Sequence, residues 1–196
     1  AIQFGVSRSI FSNEAGLGTA PIVAAVAKTD VPGRQALISM SGVFLTSIVV
    51  CTITGLVIGV SGLLGQTGPD GEILNGSLLA LASFQNAFPL SVFVLTASLI
   101  LFGYSTILGW AYYGEKCTEY LLGSRSVRWY RLLFALVVIP GAMLSLQVVW
   151  SFANIMNGLM AFPNLVGIFG LSAIIVAETR CFEKLLQLER HEAEIK

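Results

Sequence analysis

Between residues 35 and 62 the chain runs without a charged side chain, and the polar groups within it, such as Ser39, Ser41, Thr46, Ser47, Thr52 and Thr54, are small hydroxyls. A helix needs about 20 apolar residues to cross the hydrocarbon core of a bilayer. In lipid, every backbone N–H and C=O must find its partner within the protein, which favours a spanning helix for so long an uncharged stretch. Residues 90–113, 132–149 and 150–177 repeat the pattern. Composition agrees, because 55% hydrophobic residues, 11% charged residues and a mean hydropathy of +0.81 lie far from a soluble globular average. The expected fold class is an all-α membrane protein with four spanning helices.

Ahead of these spans, residues 1–28 are mostly apolar but interrupted. The run Phe11-Ser12-Asn13-Glu14-Ala15-Gly16-Leu17-Gly18-Thr19-Ala20-Pro21 holds two glycines, a proline, a carboxylate and an amide. A glycine costs about 1 kcal/mol relative to alanine in a helix interior, and a proline removes a hydrogen bond or opens a new helix. The segment therefore reads as helix, break, helix, with Thr19 capping the second piece and Pro21 in its first turn. At membrane depth a break is tolerated only where the freed backbone faces protein or a water-filled cavity, and many secondary transporters build their sites in this way. An interfacial loop joining two shorter segments is the other reading. Arg8 and Glu14 bring charge into this segment, at about 2.5–3.5 kcal/mol each on insertion scales. At six residues apart they share no helical face, so each is expected to pair with another helix.

The remaining segments set the topology. Residues 28–34 form a polar turn, and residues 63–89 contain no lysine or arginine. Within the latter, Leu78, Leu81, Ala82 and Phe84 predict a short amphipathic helix over 77–88. Residues 114–131 read as a charged loop and residues 178–196 as an amphipathic tail. Pro140-Gly141 marks a kink in the third span, and Pro163 is a break signal in the fourth. Asn154, Asn157 and Asn164 fall on one face of the fourth span, as interhelical adhesive or as a binding stripe. If the spans alternate, Lys28, Arg34, Lys116, Arg125, Arg128, Arg131, Arg180, Lys184, Arg190 and Lys196 share one side. The positive-inside rule makes that side, and the tail, cytoplasmic. The start at Ala1 with no leader reads as the C-terminal part of a longer multi-pass protein of the cell membrane.

Catalytic chemistry is hard to assemble. Cys51, Cys117 and Cys181 are scattered, and His191 lies in the tail. No zinc-protease helix, nucleophile elbow, phosphate loop or basic-aromatic patch is present, so neither an enzyme nor a nucleic-acid partner is expected.

The run from Phe11 to Pro21 closely resembles the alanine or glycine:cation symporters, which carry Phe-Ser-Asn-Glu-Ala-Gly-x-Gly-Ser-Ala-Pro; here Thr19 replaces the serine and keeps its hydroxyl. Gly5-Val6-x-Arg8 is similar to the same family, although Ser9 stands where glycine is more usual. So is Ser105-Thr106-Ile107-Leu108-Gly109-Trp110 with Tyr112-Tyr113-Gly114-Glu115. The resemblance extends along the chain. It implies the second half of an inverted-repeat, LeuT-like transporter: one broken helix plus four spanning helices, beginning at the sixth of ten core helices. It also implies symport of alanine or glycine driven by sodium, in some members by protons, with no organic cofactor and with an N-terminal half supplying the rest of the site.

On that resemblance Phe11, Ser12, Asn13, Gly16 and Trp110 are the candidate substrate residues. Arg8 and Glu14 are candidates for gating or charge pairing, and Ser105 and Thr106 for part of a sodium shell. The N-terminal end of the second half-helix, at Thr19 to Ile22, is expected to face the substrate carboxylate. A passive channel or permease with charged pore-lining residues is the alternative.

Overall fold

The computed structural model describes residues 2–14, 16–68 and 71–195. The chain forms α1 (Ile2–Asn13), α2 (Ala20–Ala24), α3 (Pro32–Phe44), a π-helical stretch (Leu45–Val50), α4 (Cys51–Ser61) and α5 (Gly76–Ala87). It continues with α6 (Ser91–Leu122), a 3-10 turn (Ser124–Ser126), α7 (Val127–Met143), α8 (Leu146–Gly170) and α9 (Ser172–Ile195). Among the described residues the only extended pairing is one antiparallel bridge, Thr67 with Ile73. Four stretches are long and apolar enough to cross a membrane: Pro32–Ser61, Ser91–Leu122, Ser124–Met143 and Leu146–Gly170. Leu17 is the one buried hydrophobic residue among those described. The apolar surface of these helices is turned outward, as a lipid-facing or partner-facing protein requires.

The chain divides into two compact units, Ala1–Gly42 with Glu115–Lys196, and Val43–Gly114. In the second unit Gly62, at φ 71°, ends α4 in the left-handed conformation that a side chain would resist. Beyond it the Gly68 N–H donates to the Glu72 carbonyl at 2.7 Å and the Leu74 N–H to the Gln66 carbonyl at 2.8 Å. The short helix expected over 77–88 is α5. It is fastened to the end of α4 by Ser83, which is 1% exposed, with its hydroxyl 3.1 Å from the Ser61 hydroxyl and 2.7 Å from the Leu79 carbonyl. The Asn86 amide donates to the Ser61 carbonyl at 3.3 Å.

In the first unit several expected boundaries move. The charged stretch 114–131 is largely helical, since α6 continues to Leu122 and α7 starts at Val127. Nothing between Glu115 and Leu122 breaks a helix, and Lys116 with Glu119 forms an ion pair one turn apart, at 2.9 Å. Gly123, at φ 82°, ends it. Arg131 then clamps Glu115 with two parallel bonds, Nε to Oε2 at 2.8 Å and Nη2 to Oε1 at 2.7 Å, tying the end of α6 to α7. The turn between the third and fourth spans falls at Leu144 and Ser145, earlier than the join at 149 and 150, and the fourth helix ends at Gly170. Pro163 does not end α8, because a proline removes one bond of the ladder and no water is at hand in a bilayer to take over the rest.

Ser83→Leu places a large side chain where a fully buried hydroxyl sits and should force α5 off the end of α4. The expected cost is about 1–3 kcal/mol. A lowered melting temperature of the purified protein in detergent checks this, and an unchanged melting curve contradicts it.

Candidate functional site at the helix break

The first helix ends where the sequence places the break. The Glu14 N–H makes the last helical bond of α1, to the Ile10 carbonyl at 2.9 Å, and Glu14 itself adopts φ 53°. Gly16 at φ 83° and Gly18 at φ 82° repeat the left-handed turn before α2 begins. Glycine visits that region freely, whereas a residue with a side chain gives up about 1–2 kcal/mol there. Glu14 bears this cost because its carboxylate is engaged: the Thr19 hydroxyl, on a residue 4% exposed, donates to Glu14 Oε2 at 2.8 Å. A hydrogen bond to a charged group contributes about 1.5–3 kcal/mol, enough to offset the strain. The bond closes the loop of the break upon itself.

Two expectations change here. Thr19 does not cap α2 through its side chain. Its backbone, at φ −80° and ψ −39°, is already helical rather than extended, and no N–H of α2 donates to its side-chain oxygen. The partner seen for Glu14 is Thr19 within the break, not another helix. Moreover α2 has five residues with Pro21 in its first turn, so it offers a weak dipole and few N–H donors to an anion.

Helix α8 lies along the broken helix. The Arg8 guanidinium sits 3.3 Å above the Trp150 ring, and Phe11 meets the same ring edge-on at 5.0 Å and 72°. The Ser7 hydroxyl donates to Asn154 Oδ1 at 2.8 Å. A Cβ added to Gly18 would lie 3.1 Å from Asn164 Oδ1, so that amide packs directly on the break. The three amides of the α8 stripe thus have separate duties. Asn154 fastens α1, Asn164 supports the break, and Asn157, 8% exposed, lines a cavity of about 290 Å³ with Ser7, Val6 and Ile10. Sequence reasoning missed Trp150 altogether, since an aromatic at the edge of a span reads as an interfacial anchor. A desolvated cation–π contact is worth about 2 kcal/mol, less than the insertion cost of the charge. Arg8 Nη1 is also buried without a hydrogen-bond partner among the described residues.

Of the other candidates, Asn13 donates from Nδ2 to the Ser9 carbonyl and to Ser9 Oγ, each at 3.2 Å, while Ser12 and Gly16 are exposed. Ser105, Thr106 and Trp110 belong to the second unit. There Trp110 is half-buried, with its ring edge-on to Tyr113 at 5.8 Å. The Ser105 hydroxyl donates to the Phe102 carbonyl at 3.0 Å, which leaves its oxygen lone pairs available to a cation.

Gly16→Ala and Gly18→Ala should separate strain from contact. Both add a side chain at φ near +80°, but open space surrounds Gly16 and Asn164 abuts Gly18. The second should destabilise more than the first, with about 1–2 kcal/mol common to both. Asn164→Ala in the Gly18→Ala background should recover the difference in a thermal unfolding assay; equal effects at the two glycines would exclude the Asn164 contact.

The model of the Sodium:alanine symporter family matches residues 1–196. The Sodium/alanine symporter AgcS of Methanococcus maripaludis is 52% identical over 193 residues, 98% of this chain and 42% of the relative. In Bacillus subtilis, the "Probable sodium/glutamine symporter GlnT" is 35% identical over 89% of this chain and 36% of its own length. The "Amino-acid carrier protein AlsT" of the same organism is 34% identical over 88% and 36%. The chain therefore spans less than half the length of these relatives, and no solved structure matches it significantly. The relatives are named as transporters, not enzymes, and with its four apolar spans the chain is a multi-pass membrane protein that belongs to the sodium:alanine symporter family.

Proposed function

We propose that this chain supplies the second half of a sodium-coupled symporter that carries a small neutral amino acid, alanine or glycine, across the cell membrane, within an inverted-repeat, LeuT-like fold. The observation that carries the reading is the break between α1 and α2, held open by three left-handed residues and closed on itself by Thr19 and Glu14. A helix leaves its last carbonyls without intrahelical partners, and its C-terminal end carries the negative pole of the dipole. The end of α1 at Phe11, Ser12 and Asn13 thus suits the ammonium group of a zwitterion, or a cation, better than a carboxylate. Donors for the carboxylate then fall to the N-terminal half. An apolar wall at Phe11 fits a short side chain, and exposed Gly16 lets backbone approach the solute.

Ser105 and Thr106 supply part of the sodium shell. A hard cation takes several oxygens, so two hydroxyls serve beside carbonyls from the first half. Arg8, held on Trp150 with one edge unsatisfied, gates the outer end of the path through an acceptor in the first half. The segregation of lysine and arginine to one side of the spans supports a cytoplasmic tail.

Radiolabelled alanine uptake by the full-length protein in liposomes tests this. Accumulation above the external level with an inward sodium gradient, collapsing when the gradient is removed, is the expected result. Thr106→Ala should raise the sodium concentration for half-maximal uptake with expression retained. Uptake that only equilibrates and ignores sodium would favour the passive permease, and competition by glutamine instead of alanine and glycine would overturn the substrate.

A further inference from the structure

The charged tail helix α9 has a face that the transport reading does not use. Residues 182, 185, 186 and 189 follow the spacing of one helical stripe. Phe182, Leu185 and Leu186 are half-buried, while Cys181, Glu183, Lys184 and Gln187 around them are exposed. The stripe meets the start of α3. The Phe182 ring lies so close to Gly33 that a Cβ added there would overlap ring carbons Cγ, Cδ1 and Cδ2, and the glycine is needed for that seat. One residue on, Arg34 Nη2 donates to Glu189 Oε1 in an exposed ion pair.

These contacts fix the start of α3, which residues 25–31 join to the far end of α2. The near end of α2 is held by the Thr19–Glu14 bond and by Asn164 against Gly18. Between the two, α2 continues in turns through Ala25, Val26 and Ala27, bonded to Pro21, Val23 and Ala24. Towards α3 it borders a cavity of about 480 Å³ lined by Pro21, Ala24, Gln35 and Ser39 among others. A five-residue helix flanked by open space is positioned by its two ends more than by packing along its side.

We propose that Phe182 and Glu189 are positioning residues for α2: through Gly33 and Arg34 at the start of α3, the tail sets the angle at which α2 leaves the break. The inference rests on the reading that the break is the transport site, in that this angle then governs turnover. The tail touches neither solute nor ion, so its loss should alter the rate of the cycle and leave recognition in place.

The test uses the full-length protein with Arg34→Glu, Glu189→Arg and the two combined, and with Phe182→Ala as an independent variant. Each single charge reversal should lower maximal sodium-dependent alanine uptake by about two- to fivefold, the range that an exposed ion pair permits. The alanine KM should stay within about twofold, the split expected when a transition-state or conformational step is altered and uniform binding is not. The double reversal should recover most of the loss. Hydrogen exchange over residues 22–31 should quicken in the single variants and in Phe182→Ala, and slow again in the double reversal. That exchange pattern is read without any transported solute, so failure of the transport reading and failure of the clasp are distinguishable. Wild-type exchange in every variant would overturn the proposal. So would single-variant losses that the double reversal leaves unrepaired.

Discussion

A carboxylate set within an apolar segment needs a donor, and at Glu14 the donor is the hydroxyl five residues further along the same chain. That bond allows α1 to stop at Asn13 and α2 to start at Ala20 without leaving a naked charge or an open coil between them. The strain of a left-handed glutamate is about 1–2 kcal/mol, and a hydrogen bond to a charged group, at about 1.5–3 kcal/mol, is large enough to offset it. The break is thus a built element with its own internal tie.

The next layer is α8, whose contacts follow the broken helix from Arg8 and Ser7 to Gly18. Its polar side chains serve at separate levels: an aromatic face for a cation, an amide for a hydroxyl, an amide against a glycine. In a bilayer, lipid is as apolar as leucine and gives helices no hydrophobic reason to associate, so such contacts carry the packing. With Leu17 the sole buried hydrophobic residue described, the unit is held by specific polar and aromatic meetings in place of a conventional core.

The sequence made the class of fold and the place of the break readable, because uncharged length and glycine–proline punctuation are direct consequences of lipid solvation and backbone sterics. It also made α5 readable, from apolar spacing at Leu78, Leu81 and Phe84. What it concealed depends on tertiary choice. The extension of α6 to Leu122 was masked by charge that reads as loop but pairs along the helix, at Lys116 with Glu119, and across to α7, at Glu115 with Arg131. The π-helical stretch at Leu45–Val50 has no compositional signature. Thr19 looked like a cap because threonine before a proline-led helix commonly is one, but its backbone is already helical and its oxygen accepts no N–H of α2. Trp150 and the seat of Phe182 on Gly33 join residues far apart in the chain, which periodicity cannot connect.

The central claim is that Glu14 and Thr19 act as one unit that sets the geometry of the break. A double-mutant cycle with Glu14→Gln, Thr19→Val and the pair, read as thermal unfolding of the full-length protein in detergent, tests it most directly. The account predicts a coupling of about 1–3 kcal/mol, the scale of a hydrogen bond to a charged group. Effects that simply add, to within about 0.5 kcal/mol, would contradict it.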